Sequence, residues 1–254
     1  MRNENIPALD ARYWAAILAA SLVGTTFGDF VSIDLGLELT GALLPLGATI
    51  LAVIFAAEPA TRWAGVACYW AAIVFTRTGT TDLGDFLARS LNLGNGSVSA
   101  VLAVLLAVFL VAWRDPASGS ATNPGARIAR KVLPTTNARY WMGILMVSIL
   151  GSILGDFVAD DLGLGLAQGS LVLGAALTAA LVGELTTKRW NEARYWAVIA
   201  VARTTGTVVG DFLSGREGLN LGFVAVAGLA GALLVTILLI PSPTPDASKE
   251  VASV

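Results

Sequence analysis

Apolar residues run along this chain in eight blocks, each close to the roughly 20 residues that a helix needs to cross a hydrocarbon layer of about 30 Å. The blocks lie at Ala11–Val31, Thr40–Ala57, Arg62–Leu87, Ser97–Trp113, Ala138–Val158, Gln168–Leu185, Ala193–Leu213 and Leu221–Ile240. Polar residues inside the odd-numbered blocks recur at every fourth position: Ser21, Thr25 and Asp29; Arg77, Thr81 and Asp85; Ser148, Ser152 and Asp156; Arg203, Thr207 and Asp211. Positions four apart share a helix face and drift by only about 40° per step, so each odd block predicts a helix with one polar stripe. The even blocks have no such stripe: Val98–Ala112 holds one serine and no charge, and Leu171–Val182 only Thr178. The pattern predicts odd helices around a shared interior and even helices outside against lipid, with Gly47, Gly174, Gly228 and Gly231 allowing close approach between helices.

The blocks are copies of one unit. Gly-Asp-Phe occurs at Gly28–Phe30, Gly84–Phe86, Gly155–Phe157 and Gly210–Phe212, late in each odd block. Each Asp follows a Tyr-Trp pair at a constant interval, Trp14 to Asp29, Trp70 to Asp85, Trp141 to Asp156 and Trp196 to Asp211, all 15 residues. Asp-Leu-Gly or Asn-Leu-Gly then follows at Asp34–Gly36, Asn92–Gly94, Asp161–Gly163 and Asn220–Gly222, a turn signal whose Gly can take positive φ. Two spans per unit return every copy to the same side, so the expected fold is an all-α membrane protein of eight transmembrane helices, four parallel two-helix repeats with pseudo-twofold or fourfold symmetry about the membrane normal. All four Asp then share one depth, roughly 22 Å from the Trp level at about 1.5 Å per residue. Repeats one and two fill residues 1–113 and repeats three and four residues 138–240. A polar linker with Pro116, Gly119, Pro124, Gly125 and Pro134 spans 114–137, and a Pro-rich tail, expected to be disordered, covers 241–254.

Composition agrees. Charged residues make up 13% of the 254 and mean hydropathy is +0.73, whereas a soluble domain carries about a quarter of its residues as charges. Twelve of the 16 basic residues lie in the N-terminus, the even-numbered loops and the tail: Arg2, Arg12, Arg62, Arg114, Arg127, Arg130, Lys131, Arg139, Lys188, Arg189, Arg194 and Lys249. Only Arg89 and Arg216 sit in the opposite loops, which predicts cytoplasmic termini, and Arg77 and Arg203 fall within spans. The first block follows a charged stretch, lacks a cleavage site and recurs as a repeat, so it reads as part of the body and not as a signal peptide. With no histidine and the single Cys68, His-based triads, zinc sites and disulfide frameworks are excluded, and a net charge of -2 gives no footprint for nucleic acid. The partners expected are the bilayer and a small ion or small molecule; a homo-oligomer is compatible with the sequence.

Within the spans, Asp29, Asp82, Asp85, Asp156 and Asp211 stand against Arg77 and Arg203, five negative charges to two positive. Carboxylates at membrane depth need partners, water or a cation. The surplus points to a bound cation or protonated carboxyls, and oxygen-only ligation suits hard ions such as Na⁺, H⁺, Mg²⁺, Ca²⁺ or Mn²⁺. Thr25, Thr81, Ser152 and Thr207 are the supporting oxygens. Asp82, unmatched in the other copies, marks copy two as an asymmetric ion or proton site. The purely structural alternative is that the Asp side chains cap the next turn or bond to neighbouring copies. Arg77 and Arg203 are expected to pair with Asp of adjacent copies, to grip an anionic substrate group, or to act as a fixed charge repelling a released cation. The Tyr-Trp pairs read as interfacial anchors, Asp34, Glu38, Asp160 and Asp161 as a solvated acidic rim, and Glu58 and Glu184 as partners of Arg62 and Lys188.

The run from Arg203 to Leu213, Arg-Thr-x-Gly-Thr-x-x-Gly-Asp-Phe-Leu, its looser counterpart from Arg77 to Leu87 and the Asn-Leu-Gly turns resemble a bacterial inner-membrane family built of a repeat of unknown function. The resemblance covers nearly the whole chain except its ends and linker. It implies eight spans and brings no substrate; copies one and three carry Ser21 and Ser148 where the other two carry Arg. The leading functional expectation is a transporter of a hard cation, a divalent metal or Na⁺, and/or of protons, with Asp29, Asp85, Asp156 and Asp211 as a metal-binding ring. The apolar Ile17, Ala72 and Ile73 below the stripe favour an occluded carrier over an open pore. The alternatives are a proton-coupled carrier of a small organic anion held by Arg77 and Arg203, and a scaffold that transports nothing. No cofactor beyond a metal cation is expected, and no paired catalytic motif points to an enzyme.

Overall fold

The computed structural model describes residues 9–57, 61–112, 137–187 and 192–240. The linker up to Thr136, the C-terminal tail, Arg2, Glu58, Lys188, Arg189 and the side chain of Arg62 lie outside the described residues. Among those described, every regular element is helical: α1 (Ala11–Asp29), α2 (Glu38–Ala57), α3 (Arg62–Asp85), α4 (Asn95–Ala112), α5 (Ala138–Asp156), α6 (Gly165–Thr186), α7 (Glu192–Ser214) and α8 (Phe223–Leu239).

Local signals set the ends. Asp10, Thr61 and Asn137 cap α1, α3 and α5 by accepting from the amides of Tyr13, Ala64 and Tyr140 at 2.9, 3.1 and 3.1 Å. At the other end α1, α3 and α5 do not stop at the Gly-Asp-Phe motif. Each widens into a π-helical turn, Phe30–Asp34, Phe86–Ser90 and Phe157–Asp161, in which the Phe carbonyl accepts from the Leu amide five residues on at 3.1, 3.0 and 2.9 Å. These helices therefore run about three residues past the ends expected from hydropathy. Gly36, Gly94, Gly163 and Gly222 then take φ of 65, 78, 68 and 83°, so all four Leu-Gly turns use the left-handed freedom their glycines supply.

Packing separates two classes of helix. In α1, α5 and α7, 61% of the most apolar window is buried, against 22% in α4 and 11% in α6. The exposed faces of α4 and α6 carry Val101, Val104, Leu105, Leu171 and Val172, an apolar skin that suits lipid. Among the described residues five helices, α1, α4, α5, α6 and α7, are long and apolar enough to cross a membrane; α2 and α8 contain shorter apolar segments.

The inner helices touch in the order α1, α3, α5, α7 and back to α1. Each outer helix packs chiefly on the inner helix of the following copy, α2 on α3, α4 on α5 and α6 on α7, and α8 returns to α1. Arg12 fastens this last joint, its Nε and Nη2 donating to the carbonyls of Ile237 and Leu238 at 2.8 and 2.7 Å, where the end of α8 offers free acceptors.

The close approaches that hold the ring lie on inner helices. The Gly-Asp-Phe glycines meet the Thr or Ser layer of the next copy: a Cβ would come within 3.1 Å of Thr81 at Gly28, 3.3 Å of Ser152 at Gly84, 2.8 Å of Thr207 at Gly155 and 3.5 Å of Thr25 at Gly210. One turn back, Gly24 and Gly151 abut the Cβ atoms of Arg77 and Arg203. Gly47, Gly174 and Gly228 have open space around them, and Gly231 only a Val23 methyl at 3.9 Å, which corrects the expectation that these four glycines allow close approach; on the outer helices it is Gly41, Gly96 and Gly169 whose Cβ would meet a neighbour, Val31 at 2.8 Å, Phe157 at 3.0 Å and Val208 at 3.2 Å. The first four glycines lie where nothing requires a missing Cβ.

Candidate functional site

The stripe predicted on each inner helix is real and longer than expected. Continuing to count back by fours from Ser21, Arg77, Ser148 and Arg203 leads to Ile17, Ile73, Ile144 and Ile199, all fully buried, and then to Tyr13, Tyr69, Tyr140 and Tyr195. The result is five stacked layers, about 6 Å apart along each helix: Tyr, Ile, Ser or Arg, Thr or Ser, and Asp.

The tyrosine layer closes one end. Its hydroxyls form a cycle, Tyr13 to Tyr195 at 2.8 Å, Tyr195 to Tyr140 at 3.1 Å, Tyr140 to Tyr69 at 2.7 Å and Tyr69 to Tyr13 at 3.4 Å. In such a cycle each hydroxyl can donate once and accept once. Each ring also stands edge-on to the Trp that follows it in sequence, with centroids 5.2–5.4 Å apart. Tyr13, Tyr69, Tyr140 and Tyr195 and the indoles of Trp14, Trp70 and Trp196 are all at most 3% exposed, so these residues are interior packing and not interfacial anchors, while Trp141 is half-buried. The inward stripe, which they extend, overrides the usual interfacial preference of these residue types.

The opposite end opens. A cavity of about 370 Å³ is lined by all four Gly-Asp-Phe aspartates, Asp29, Asp85, Asp156 and Asp211, with Thr81, Ser152 and Thr207 beneath them. Asp160, Glu217, Arg89 and Arg216 complete its charged lining, six acidic residues to two basic. The four copies thus contribute one carboxylate each to a common vestibule.

Its two sides differ. Arg89 reaches across one side, its Nη2 at 3.0 Å from Asp156 Oδ2 and 3.7 Å from Asp160 Oδ2, its Nη1 at 3.5 Å from Asp85 Oδ1. On the other side neither Asp29 nor Asp211 forms an ion pair among the described residues, and Asp29 Oδ2 is buried without a partner. Sequence reasoning missed Arg89, because hydropathy ended the third block at Leu87 and left Arg89 in a loop; the π turn carries it on to the same face as Asp85. Among the described residues no three His, Cys, Asp or Glu side chains gather closely enough to hold a metal ion. The expected metal-binding ring is therefore a ring around a cavity, spanned on one side by a guanidinium, and not a coordination cage.

Arg77 forms the floor. Fully buried on α3, it donates from Nε and Nη2 to Thr25 Oγ1 at 3.1 and 2.8 Å, and from Nη1 to the Ser148 carbonyl at 2.8 Å and Ser152 Oγ at 3.0 Å. Its Nη2 also bonds the Arg203 carbonyl at 3.3 Å and Thr207 Oγ1. One side chain thereby ties α3 to α1, α5 and α7 through neutral acceptors. The expected pairing of Arg77 and Arg203 with aspartates of neighbouring copies does not occur among the described residues; Thr, Ser and carbonyl oxygens lie closer to the Arg layer than the carboxylates two turns away. Thr25 belongs to this network and not to the vestibule wall. Arg203, also fully buried, makes a single side-chain bond among the described residues, from Nη1 to Ser21 Oγ at 3.1 Å.

The four copies match the description Repeat of Unknown Function (DUF347) at residues 12–58, 68–115, 139–189 and 194–241. The chain belongs to this family. The DUF347 boundaries coincide with the two-helix units that hydropathy and Gly-Asp-Phe spacing define. No curated protein and no solved structure matches the chain significantly.

The remaining predicted residues fall outside the vestibule. Asp82 is 3% exposed and lies where α3 meets α1 and α2: a Cβ on Gly41 or Gly28 would stand 2.9 or 3.4 Å from its carboxylate, whose oxygens have no hydrogen-bond partner. Its offset of three residues from Asp85 turns it off the stripe. Asp34, Asp160 and Asp161 are exposed as expected of a rim, although Asp160 pairs with Arg89 and Asp161 accepts from Asn95 at 3.5 Å. Glu184 is buried and pairs with Arg194 at 4.0 Å.

Proposed function

We propose that this DUF347 protein is a membrane carrier for a small hard cation or for protons. In this reading eight spans form four parallel repeats around an axis normal to a bacterial inner membrane, with both termini in the cytoplasm and the aspartate vestibule facing outward. The basic residues gathered in the N-terminus, the even-numbered loops and the tail support that orientation. The observation that carries the functional reading is the convergence of four carboxylates, one per repeat, on a single cavity with six acidic and two basic residues. A low-dielectric cleft lined by one sign of charge concentrates counter-ions.

Below the vestibule Arg77, the isoleucine layer and the tyrosine cycle block the axis, which fits a carrier caught with its inner side closed better than a standing pore. A cation entering the vestibule meets the Arg77 guanidinium, which must leave acceptors on three helices before the path can continue. The scaffold reading is weakened by the same geometry: Arg77 and the glycine contacts join the inner helices without the aspartates, and Asp29 and Asp211 have no protein cation between them. The organic-anion reading loses one of its two arginines, since Arg77 already spends all three nitrogens on protein acceptors.

The test is flux. Purified protein in proteoliposomes is expected to move Na⁺, Ca²⁺ or Mn²⁺, or protons read by an internal pH dye, and replacing all four aspartates by asparagine is expected to abolish that movement. Undiminished flux in the quadruple variant rejects the site. A fall in thermal stability with no flux or cation-dependent stabilisation in the parent protein returns the aspartates to a structural role.

A further inference from the structure

The interior holds a second feature that the cation reading leaves unused. Arg203 is fully buried, yet its Nε and Nη2 have no acceptor among the described residues. On α5, in the same layer, Ser148 is also fully buried and its hydroxyl has no partner, while its carbonyl is taken by Arg77. No carboxylate forms an ion pair with Arg203 among the described residues. Arg77 lies beside it, its Nη2 on the Arg203 carbonyl at 3.3 Å, and the tyrosine hydroxyls two layers away are already engaged with one another. Here a buried guanidinium with most of its donors free sits beside a second positive charge. A buried charge left this way is costly unless something paired with it supplies both charge and acceptors.

The chemistry of the missing partner follows from the donors. Arg203 and the serines offer N–H and O–H groups, and the fully buried Ile17, Ile73, Ile144 and Ile199 form an apolar boundary on the tyrosine side. A monatomic, monovalent anion accepts hydrogen bonds from any direction and leaves no oxygen unsatisfied against that boundary. A phosphate or dicarboxylate would bury more charge than one free guanidinium answers. We propose that Arg203, with Ser148 and Ser21, binds a small anion of the halide class on the axis, between the Arg77 network and the isoleucine layer. This site is separate from the aspartate vestibule and stands whether or not the vestibule carries a cation. A bound anion there would also neutralise charge in the layer that a descending cation must pass.

The test uses the full-length protein in detergent, dialysed into gluconate buffer and titrated with chloride or bromide at constant ionic strength. Thermal unfolding of the parent protein is expected to shift upward and saturate, and equilibrium dialysis with radiolabelled chloride should show one bound ion per chain. Arg203→Met is expected to lower chloride affinity by at least about tenfold, and Ser148→Ala by a smaller factor, as loss of a charged and of a neutral donor should. If the Arg203 variant does not fold, Ser148→Ala with the dialysis measurement decides. Absence of saturable chloride binding in the parent protein, or equal binding in every folded variant, overturns the proposal. Because the readout is chloride and not cation flux, its failure is distinguishable from failure of the vestibule.

Discussion

Arg77 and Arg203 occupy one register of one repeat, eight residues before the aspartate, on inner helices that lie opposite each other in the ring. Their circumstances are nevertheless opposite. Arg77 turns toward the vestibule end and is saturated by Thr25, Ser148, Ser152, Thr207 and the Arg203 carbonyl; Arg203, among the described residues, bonds only Ser21, in its own layer. Once one guanidinium has taken the hydroxyls of the Thr and Ser layer, those acceptors are closed to its counterpart, and a second positive charge beside it would be repelled. Repeat register decides where a side chain starts; what its neighbours have already bound decides where it ends.

The comparison is broken most forcefully by deleting each arginine. Arg77→Met leaves buried hydroxyls and carbonyls on three helices without their donor and is expected to cost about 3–5 kcal/mol, seen as a large drop in Tm. Arg203→Met in halide-free buffer removes one bond and two unpartnered nitrogens, and should stay within about 1 kcal/mol of the parent protein. Equal losses would show that the two sites are not different after all.

The glycines beside them sharpen the contrast. Alanine at Gly24 or Gly151 drives a methyl into the Cβ of Arg77 or Arg203, with a cost of about 1–3 kcal/mol each. Gly24→Ala should be the worse of the two, since Arg77 is held by partners on three helices and cannot yield; chemical denaturation of the two variants ranks them. The smallest effect is expected at the closed end. Tyr140→Phe opens the hydroxyl cycle and should lower stability by about 1 kcal/mol, leaving Arg77-dependent stability unchanged in a double-variant comparison.

Much of this was legible in the chain. The eight helices fall within a few residues of the hydropathy blocks because in all but α7 the apolar run is bounded by a capping Asp, Thr or Asn or by a Leu-Gly turn. The vestibule was legible because four aspartates in one register of copies with inward stripes must meet. Other features required neighbours that no single helix displays. The acceptors of Arg77 come from three other helices, and the reach of Arg89 depends on a π turn that leaves no hydropathy signal. The tyrosine cycle was hidden differently: the spacing by fours continued through Ile17 to Tyr13, but an apolar layer interrupts the polar signal. Asp82 misled because a carboxylate three residues from Asp85 is near it in sequence and off its face in space.

The staggered packing, in which every outer helix leans on its successor and α8 comes back to α1, means that no repeat is a self-contained folding unit. A polypeptide of two such repeats would leave one inner helix uncovered and the circle half drawn. It could complete the same architecture only by pairing with a second molecule, so a gene duplication would join two chains already obliged to meet.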